Sequence, residues 1–262
     1  MPEIATLERV LWGLSFFLNV GLVLLLLYWK NHRVYPLFFV YAASAVFQSI
    51  ALFGAYRAWG FNSPASLSVG WGTQLLVTSA RALAVAEICH RIMAKYQGIW
   101  KLARLLLISA AAFVALFSWS LSQSNLRSVL LSFDRGMALA IASVIVILLL
   151  LSRYYAVSLE PTVRTVTTGF FLYSIFCVLN NTVIERWLTH STMLWNVLGT
   201  VTFIASLLLW AWAFREPQEQ AAARPEMLPE SVYGSLVPEI DSRLKTLNEQ
   251  LNHFWGAEGK KT

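Results

Sequence analysis

The hydrophobic pattern of the chain is a series of apolar runs separated by short polar breaks. A membrane-spanning helix needs about 20 predominantly apolar residues, and each run is that long. The runs cover residues 8–29, 35–58, 71–94, 98–121, 127–152, 162–188 and 191–214. Pro36 and Pro161 stand where the second and sixth spans should begin, a position at which the missing proline N–H costs nothing. The pattern predicts an all-α integral membrane protein with seven transmembrane helices in one bundle.

The composition agrees with this class and sets the organisation of the chain. Of 262 residues, 57% are hydrophobic and 13% are charged, with a mean hydropathy of +0.59. A soluble domain is typically about 45–50% apolar and about 25% charged. We predict a transmembrane domain over residues 1–215, a flexible linker over 216–237, an amphipathic helix over 238–256 and a disordered tail over 257–262.

The basic residues predict the orientation of the bundle, because Lys and Arg collect in cytoplasmic loops. One set of span ends is rich in them: Lys30, Arg33, Arg91, Lys95, Lys101, Arg104, Arg153, Arg164 and Arg215. The opposite ends carry Arg9, Arg57, Arg127 and Arg186. We therefore predict an external N-terminus and a cytoplasmic C-terminus, in a plasma or inner membrane. The net charge of +6 follows from this anchoring and gives no reason to expect nucleic-acid binding.

Polar residues recur at helical spacing within the spans and define inward faces. Several spans place such residues at one depth in the predicted outer half. This polar layer comprises Asn19, Gln48, Gln74, Thr78, Arg81, Asp134, Arg135, Asn181, Glu185 and Asn196. Two interpretations stay open. The layer is a pocket in which Arg81 and Arg135 hold an anionic or carbonyl-bearing ligand, or it is a buried ion pair of Arg81 with Asp134 or Glu185 that fixes helix register.

A second cluster, Glu87, His90 and Arg91, lies deeper in the third span and faces away from Arg81. Glu87 and Arg91 are four residues apart, the spacing of an intrahelical ion pair. The Glu-x-x-His spacing occurs in di-iron bundles, but these need two such motifs. We therefore predict no metal, and neither haem nor proton sensing is expected at His90. The seventh span holds no lysine for a retinal Schiff base, and no other cofactor is predicted.

The C-terminal segment carries a short heptad pattern, with apolar residues in steps of four and three. The seam consists of Ile240, Leu244, Leu247, Leu251 and Phe254. This segment is not enriched in basic residues, so self-association or docking to a protein partner is favoured over membrane contact.

Familiar catalytic and nucleotide-binding motifs are absent from the sequence. The two cysteines, Cys89 and Cys177, fall in spans at different depths, so neither a disulfide nor a zinc site is expected. We predict a non-enzymatic, receptor-like sensor or interaction protein that contacts membrane lipids and a cytoplasmic partner. Two alternatives are an accessory structural subunit of a larger membrane complex, and a transporter, channel or intramembrane enzyme that uses the layer of Arg81, Asp134 and Glu185.

Overall fold

The computed structural model describes residues 2–60, 63–93, 126–154, 160–187, 192–217 and 241–253, and positions 104, 105, 108, 109, 112 and 116. The secondary structure of these residues is helical. The helices are α1 (Pro2–Tyr28), α2 (Asn31–Val34), α3 (Pro36–Trp59), α4 (Pro64–Met93), α5 (Leu126–Tyr154), α6 (Pro161–Trp187) and α7 (Thr192–Ala213), followed by α8 over residues 241–253. Helices α3 and α6 begin at the prolines that the sequence predicts.

The long helices of the described part form a closed ring. Along it, α1 contacts α3, α3 contacts α4, α4 contacts α5, α5 contacts α6, α6 contacts α7, and α7 returns to α1. Helix α4 also reaches across to α6. A cluster of buried aromatic side chains fills one end of the ring, where Phe38 and Tyr41 pack on Phe170 and Trp210 with ring centroids 4.8–6.1 Å apart.

The exposure of the side chains is the reverse of that in a water-soluble fold. Large apolar side chains such as Phe17 and Leu150 are 72% and 62% exposed, whereas Thr78 and Arg81 are 1% and 2% exposed. Polar groups avoid a lipid environment because their hydrogen bonds cannot be satisfied there. Within the residues that the structure describes, four helical segments are long and apolar enough to cross a membrane: Thr6–Tyr28, Pro36–Trp59, Phe133–Leu150 and Pro161–Leu179. Val197–Ala213 is a shorter apolar helix.

The predicted fourth span, residues 98–121, falls mostly outside the described residues. The six positions described within it are helical and exposed. Helix α4 corresponds to the predicted third span, but it does not meet the length and apolarity criterion that the four segments meet, because its charged residues lower its hydropathy. A seven-span arrangement therefore stays a prediction.

Helix α4 begins seven residues before the predicted start of the third span. The hydroxyl of Ser63 accepts a hydrogen bond from the backbone N–H of Ser66 at 3.1 Å, which caps the first turn. The Ser66 hydroxyl donates to the Gly60 carbonyl oxygen at 2.7 Å and joins this turn to the end of α3. The signal in the sequence was Ser63 followed by Pro64, an N-cap and a proline at the first helical position.

The turn between α1 and α3 is tied to the end of α7. Lys30 adopts a left-handed conformation with φ of 57°, which allows the chain to reverse into α2. The buried Asn31 side chain then donates from Nδ2 to the carbonyl oxygens of Phe214 and Glu216, at 3.3 and 3.2 Å. These carbonyls follow the last helical turn of α7 and have no partner within the helix. Asn31 therefore ties the turn between α1 and α3 to the C-terminal end of α7.

Helix α8 presents the predicted seam on its less exposed side. Leu244 is 2% exposed, Leu247 and Leu251 are half-buried, and most other residues of the helix are exposed. The seam residues Ile240 and Phe254 lie outside the described residues, as do most of the predicted linker and all of the predicted tail.

Candidate functional site

A cavity of about 430 Å³ lies inside the ring, in the half away from Asn31. All six long helices contribute to its wall. The lining residues are Trp12, Ser15 and Asn19 of α1; Tyr41, Ala45, Gln48 and Ser49 of α3; Gln74, Val77 and Arg81 of α4; Asp134 of α5; Tyr173, Phe176 and Cys177 of α6; and Gly199, Thr200 and Phe203 of α7. Ligand cavities in proteins usually measure about 300–1,000 Å³ and combine apolar walls with a few polar groups.

Helical periodicity explains how these residues meet. On α1, Trp12, Ser15 and Asn19 recur at intervals of three and four and share one face. The Ser15 hydroxyl donates to the Trp12 carbonyl oxygen at 2.8 Å, within its own helix. Asn19 is 3% exposed and lines the cavity.

Asp134 is the acceptor at which the polar network converges. Its Oδ1 accepts hydrogen bonds from Thr78 Oγ1 at 2.5 Å and Gln74 Nε2 at 3.2 Å. The same atom lies 3.4 Å from Arg81 Nη2, in a salt bridge between α5 and α4. Gln48 extends the network to α3, because its Nε2 donates to Gln74 Oε1 at 2.9 Å. The carboxylate oxygen Oδ1 is therefore well satisfied.

The guanidinium of Arg81 is less well satisfied than its counter-ion. Charge-assisted N–H···O bonds are typically about 2.7–2.9 Å long, shorter than the 3.4 Å to Asp134. The other contacts of Arg81 are weaker: Nη1 lies 3.7 Å from Cys177 Sγ, and the guanidinium carbon lies 5.3 Å from the centre of the Tyr173 ring. Arg81 Nε is buried and finds no acceptor in the described part. Arg81 therefore retains spare hydrogen-bond donors beside the cavity.

The wall is electrically balanced and chemically mixed. Within the described part of the wall, Arg81 and Asp134 are the ionic groups, and they pair with each other. Aromatic side chains cover other parts of the wall, and amides and hydroxyls lie between the two kinds of surface. No cluster of three or more His, Cys, Asp or Glu side chains suited to a metal ion occurs among the described residues. The geometry is that of a binding cavity with an apolar part and a hydrogen-bonding part.

Comparison of the chain with protein-family models, curated proteins and solved structures finds no match. The site is therefore interpreted from its own geometry.

Most of the predicted polar layer whose side chains are described lies at this cavity. Asn19, Gln48, Gln74, Arg81 and Asp134 line it, and Thr78 bonds to Asp134 from the same side. Arg135 is half-buried and is not one of the lining residues. Asn181, Glu185 and Asn196 have side chains outside the described part. Of the two counter-ions proposed for Arg81, the structure shows Asp134 in that place.

Several lining residues were not singled out from the sequence, among them Ala45, Ser49, Val77, Tyr173 and Phe176. Tyr173 has the largest consequence, because its ring lies beside the Arg81 guanidinium. Its signal was the spacing of four residues from Cys177, which places both on one face of α6. Ala45, Val77 and Phe176 are apolar, so the spacing of polar residues along the helices gives no sign of them.

The inner cluster forms a separate structure at the Asn31 end. Glu87 Oε2 accepts the backbone N–H of Phe38 at 3.0 Å, so its carboxylate caps the N-terminus of α3. The predicted Glu87–Arg91 ion pair is replaced by this cap, since the first backbone N–H groups of a helix are strong unpaired donors. Arg91 instead lies over the Tyr35 ring, 4.1 Å from its centre.

The electrostatics of this end are consistent with a structural role. His90 is exposed and lies away from the cavity lining. Glu160 lies directly before α6, where partial burial raises the pKa of its carboxyl group and the nearby Arg91 charge offsets part of that rise. Because the carboxyl pKa is raised in the folded chain, Glu160 favours folding at pH values below its ordinary pKa, and this contribution is lost as pH rises through the folded value.

Proposed function

We propose that this chain is a non-enzymatic membrane sensor that binds a small molecule in the cavity around Arg81 and Asp134. The observation that carries the proposal is the cavity itself, whose wall combines polar and apolar groups. A network that served packing alone would leave neither a space of about 430 Å³ nor spare donors on a buried guanidinium.

The proposed architecture is a multi-pass bundle of seven helices with an external N-terminus and a cytoplasmic C-terminus, in a plasma or inner membrane. The closed ring, the four apolar segments and the distribution of basic residues support it. In a Cys89→Ala/Cys177→Ser background, we expect Ala5→Cys to react with an impermeant maleimide in intact cells. Ser242→Cys should react only after permeabilisation. Protection of Ala5→Cys in intact cells would refute this orientation.

The proposed signalling route runs along α4. This helix carries Arg81 at the cavity and Glu87 at the α3 cap, about 9 Å apart at ~1.5 Å rise per residue. A ligand that draws the Arg81 guanidinium away from Asp134 would favour a different packing of α4 against α5. Such a shift would move the Glu87 carboxylate that caps α3. It would thereby reach the hydrogen bonds that tie Asn31 to the C-terminal end of α7. Helix α8 follows that exit and is the proposed docking segment for a protein partner.

The test of the proposed function is whether the purified protein carries a small molecule in this cavity. Gly199→Leu places a side chain in the cavity, since an added Cβ would contact Phe176 at 3.3 Å. Gly21→Leu is the matched control, because the space around Gly21 is open. We expect native mass spectrometry in mild detergent to show a bound small molecule in the wild type and in Gly21→Leu, and its loss in Gly199→Leu.

Other results of this experiment would contradict the proposal. A wild-type spectrum without a bound molecule, or with one that Gly199→Leu retains, would remove the cavity as the site. Stoichiometric co-purification of other proteins without a small molecule would support the accessory-subunit alternative.

A further inference from the structure

The charge balance of the cavity wall restricts the kind of molecule it accepts. Among the lining residues that the structure describes, Arg81 and Asp134 are the charged ones, and each neutralises the other. An added carboxylate or ammonium group would bring an uncompensated charge into a site of low dielectric constant, whereas an uncharged group would not. Chemistry that is neutral overall is therefore favoured.

The hydrogen-bond balance restricts the polar group of that molecule. Asp134 Oδ1 already receives three donors, whereas Arg81 Nε has no acceptor in the part of the chain that the structure describes. The Nη1 group is held only by a sulfur atom at 3.7 Å, a weak acceptor. The Arg81 guanidinium therefore has donor capacity left over, and a carbonyl oxygen is a neutral acceptor that matches it.

The aromatic part of the wall indicates what the non-polar part of the ligand is like. Trp12, Tyr41, Tyr173, Phe176 and Phe203 contribute aromatic surface to the same cavity. These rings offer contact area to an apolar body. Asn19 lies on α1 in the same wall, and its amide can bond to a second polar atom of the ligand.

Resting on the proposed function, we infer that the cavity binds an uncharged, carbonyl-bearing amphipathic molecule. Its carbonyl oxygen accepts a hydrogen bond from the Arg81 guanidinium, and its apolar body lies against the aromatic wall. The Arg81–Asp134 pair has no net charge and still donates hydrogen bonds through Arg81. It keeps the arginine charged within the membrane while leaving N–H groups for the ligand.

Three probes of equal chain length test this inference: decanamide, which is uncharged and has a carbonyl group, decanoate, which is anionic, and decylammonium, which is cationic. Binding is measured by equilibrium dialysis of radiolabelled probe against protein in nanodiscs of zwitterionic lipid, at a pH at which decanoate is ionised. Empty nanodiscs give the lipid partitioning to be subtracted. We expect saturable decanamide binding, with a Kd lower by about tenfold or more than that of either charged probe.

Variants locate the binding and separate the ligand class from the proposed function. Arg81→Met/Asp134→Leu removes the hydrogen-bond donors of Arg81 while keeping the wall neutral. We expect this double variant to weaken decanamide binding by about tenfold. Gly199→Leu should abolish the binding, and Gly21→Leu should leave it unchanged.

The possible failures have different meanings. Tighter binding of decanoate than of decanamide, or no saturable binding of decanamide, overturns the proposed ligand class. The proposed function still holds in that case if the purified protein carries a small molecule that Gly199→Leu removes. Decanamide binding that is equal in the wild type and Gly199→Leu overturns the assignment of this ligand class to the cavity. A wild-type protein that purifies without any bound small molecule overturns the proposed function itself.

Discussion

Replacing Asp134 with leucine alone is expected to destabilise the folded chain by about 3 kcal/mol, because it leaves the Arg81 charge buried without a counter-ion. Arg81 is 2% exposed, and Asp134 is the carboxylate that it meets in the described residues. Arg81→Met is expected to cost less, because Asp134 is partly exposed and keeps its bonds to Thr78 and Gln74. The measurement is the free energy of unfolding, from denaturant titration in mixed micelles.

The double variant Arg81→Met/Asp134→Leu is expected to recover most of this loss, since replacing a whole buried ion pair with apolar residues is often neutral or stabilising. Lys245→Met is the matched control. It breaks an exposed pair with Asp241 that has the same N–O distance of 3.4 Å, and it should cost less than about 0.5 kcal/mol. Additive losses in the double variant would contradict a direct coupling of Arg81 with Asp134. A stable double variant that no longer binds decanamide would separate the binding role of the pair from its structural role.

Gly169→Ala is expected to destabilise the contact between α6 and α7 by about 1–3 kcal/mol, the usual cost of overpacking a close-packed core. A Cβ at this position would overlap Trp210 Nε1 and would lie 3.0 Å from its Cδ1. The indole has no room to withdraw, because Trp210 is fully buried, donates from Nε1 to the Val166 carbonyl oxygen at 3.2 Å, and packs on Phe170. The same unfolding titration measures the effect.

Two further variants show whether the indole causes this loss. Gly21→Ala is the control within a helix. No atom lies near an added Cβ there, so it should be neutral or stabilising by up to about 1 kcal/mol. Trp210→Phe removes the atoms nearest to Gly169, and in that background Gly169→Ala should cost much less than in the wild type. Equal effects of Gly169→Ala in both backgrounds would show that the strain arises elsewhere.

Helical periodicity allowed part of the polar cavity wall to be predicted from the sequence. Asn19, Gln48 and Arg81 are each part of a stripe with intervals of three and four, and such a stripe faces the interior when the exterior is apolar. The choice of Asp134 as the partner of Arg81 could not be made in advance. It depends on the rotation and depth of α5 relative to α4, which the spacing within one helix does not determine.

The long-range polar contacts at the Asn31 end were also beyond prediction. Glu87 and Arg91 have an ideal spacing for pairing within a helix, but the first N–H groups of α3 compete for the same carboxylate. This competitor is a backbone group 49 residues away and has no sequence signature. The near contact of Gly169 with Trp210 is similar, because a glycine in an apolar helix does not show which neighbour approaches it.

The hydrogen bonds of Asn31 also bear on how the protein is made. Its partners lie 183 and 185 residues further along the chain. At about 5–20 residues per second, a ribosome needs roughly 10–40 s to synthesise that stretch. For most of this interval α1 and α3 exist without α7, so the polar face at Asn19 lacks one of the two long helices that α1 finally contacts. We therefore expect newly inserted chains to depend on a membrane chaperone or on nearby lipid headgroups until the last helix arrives.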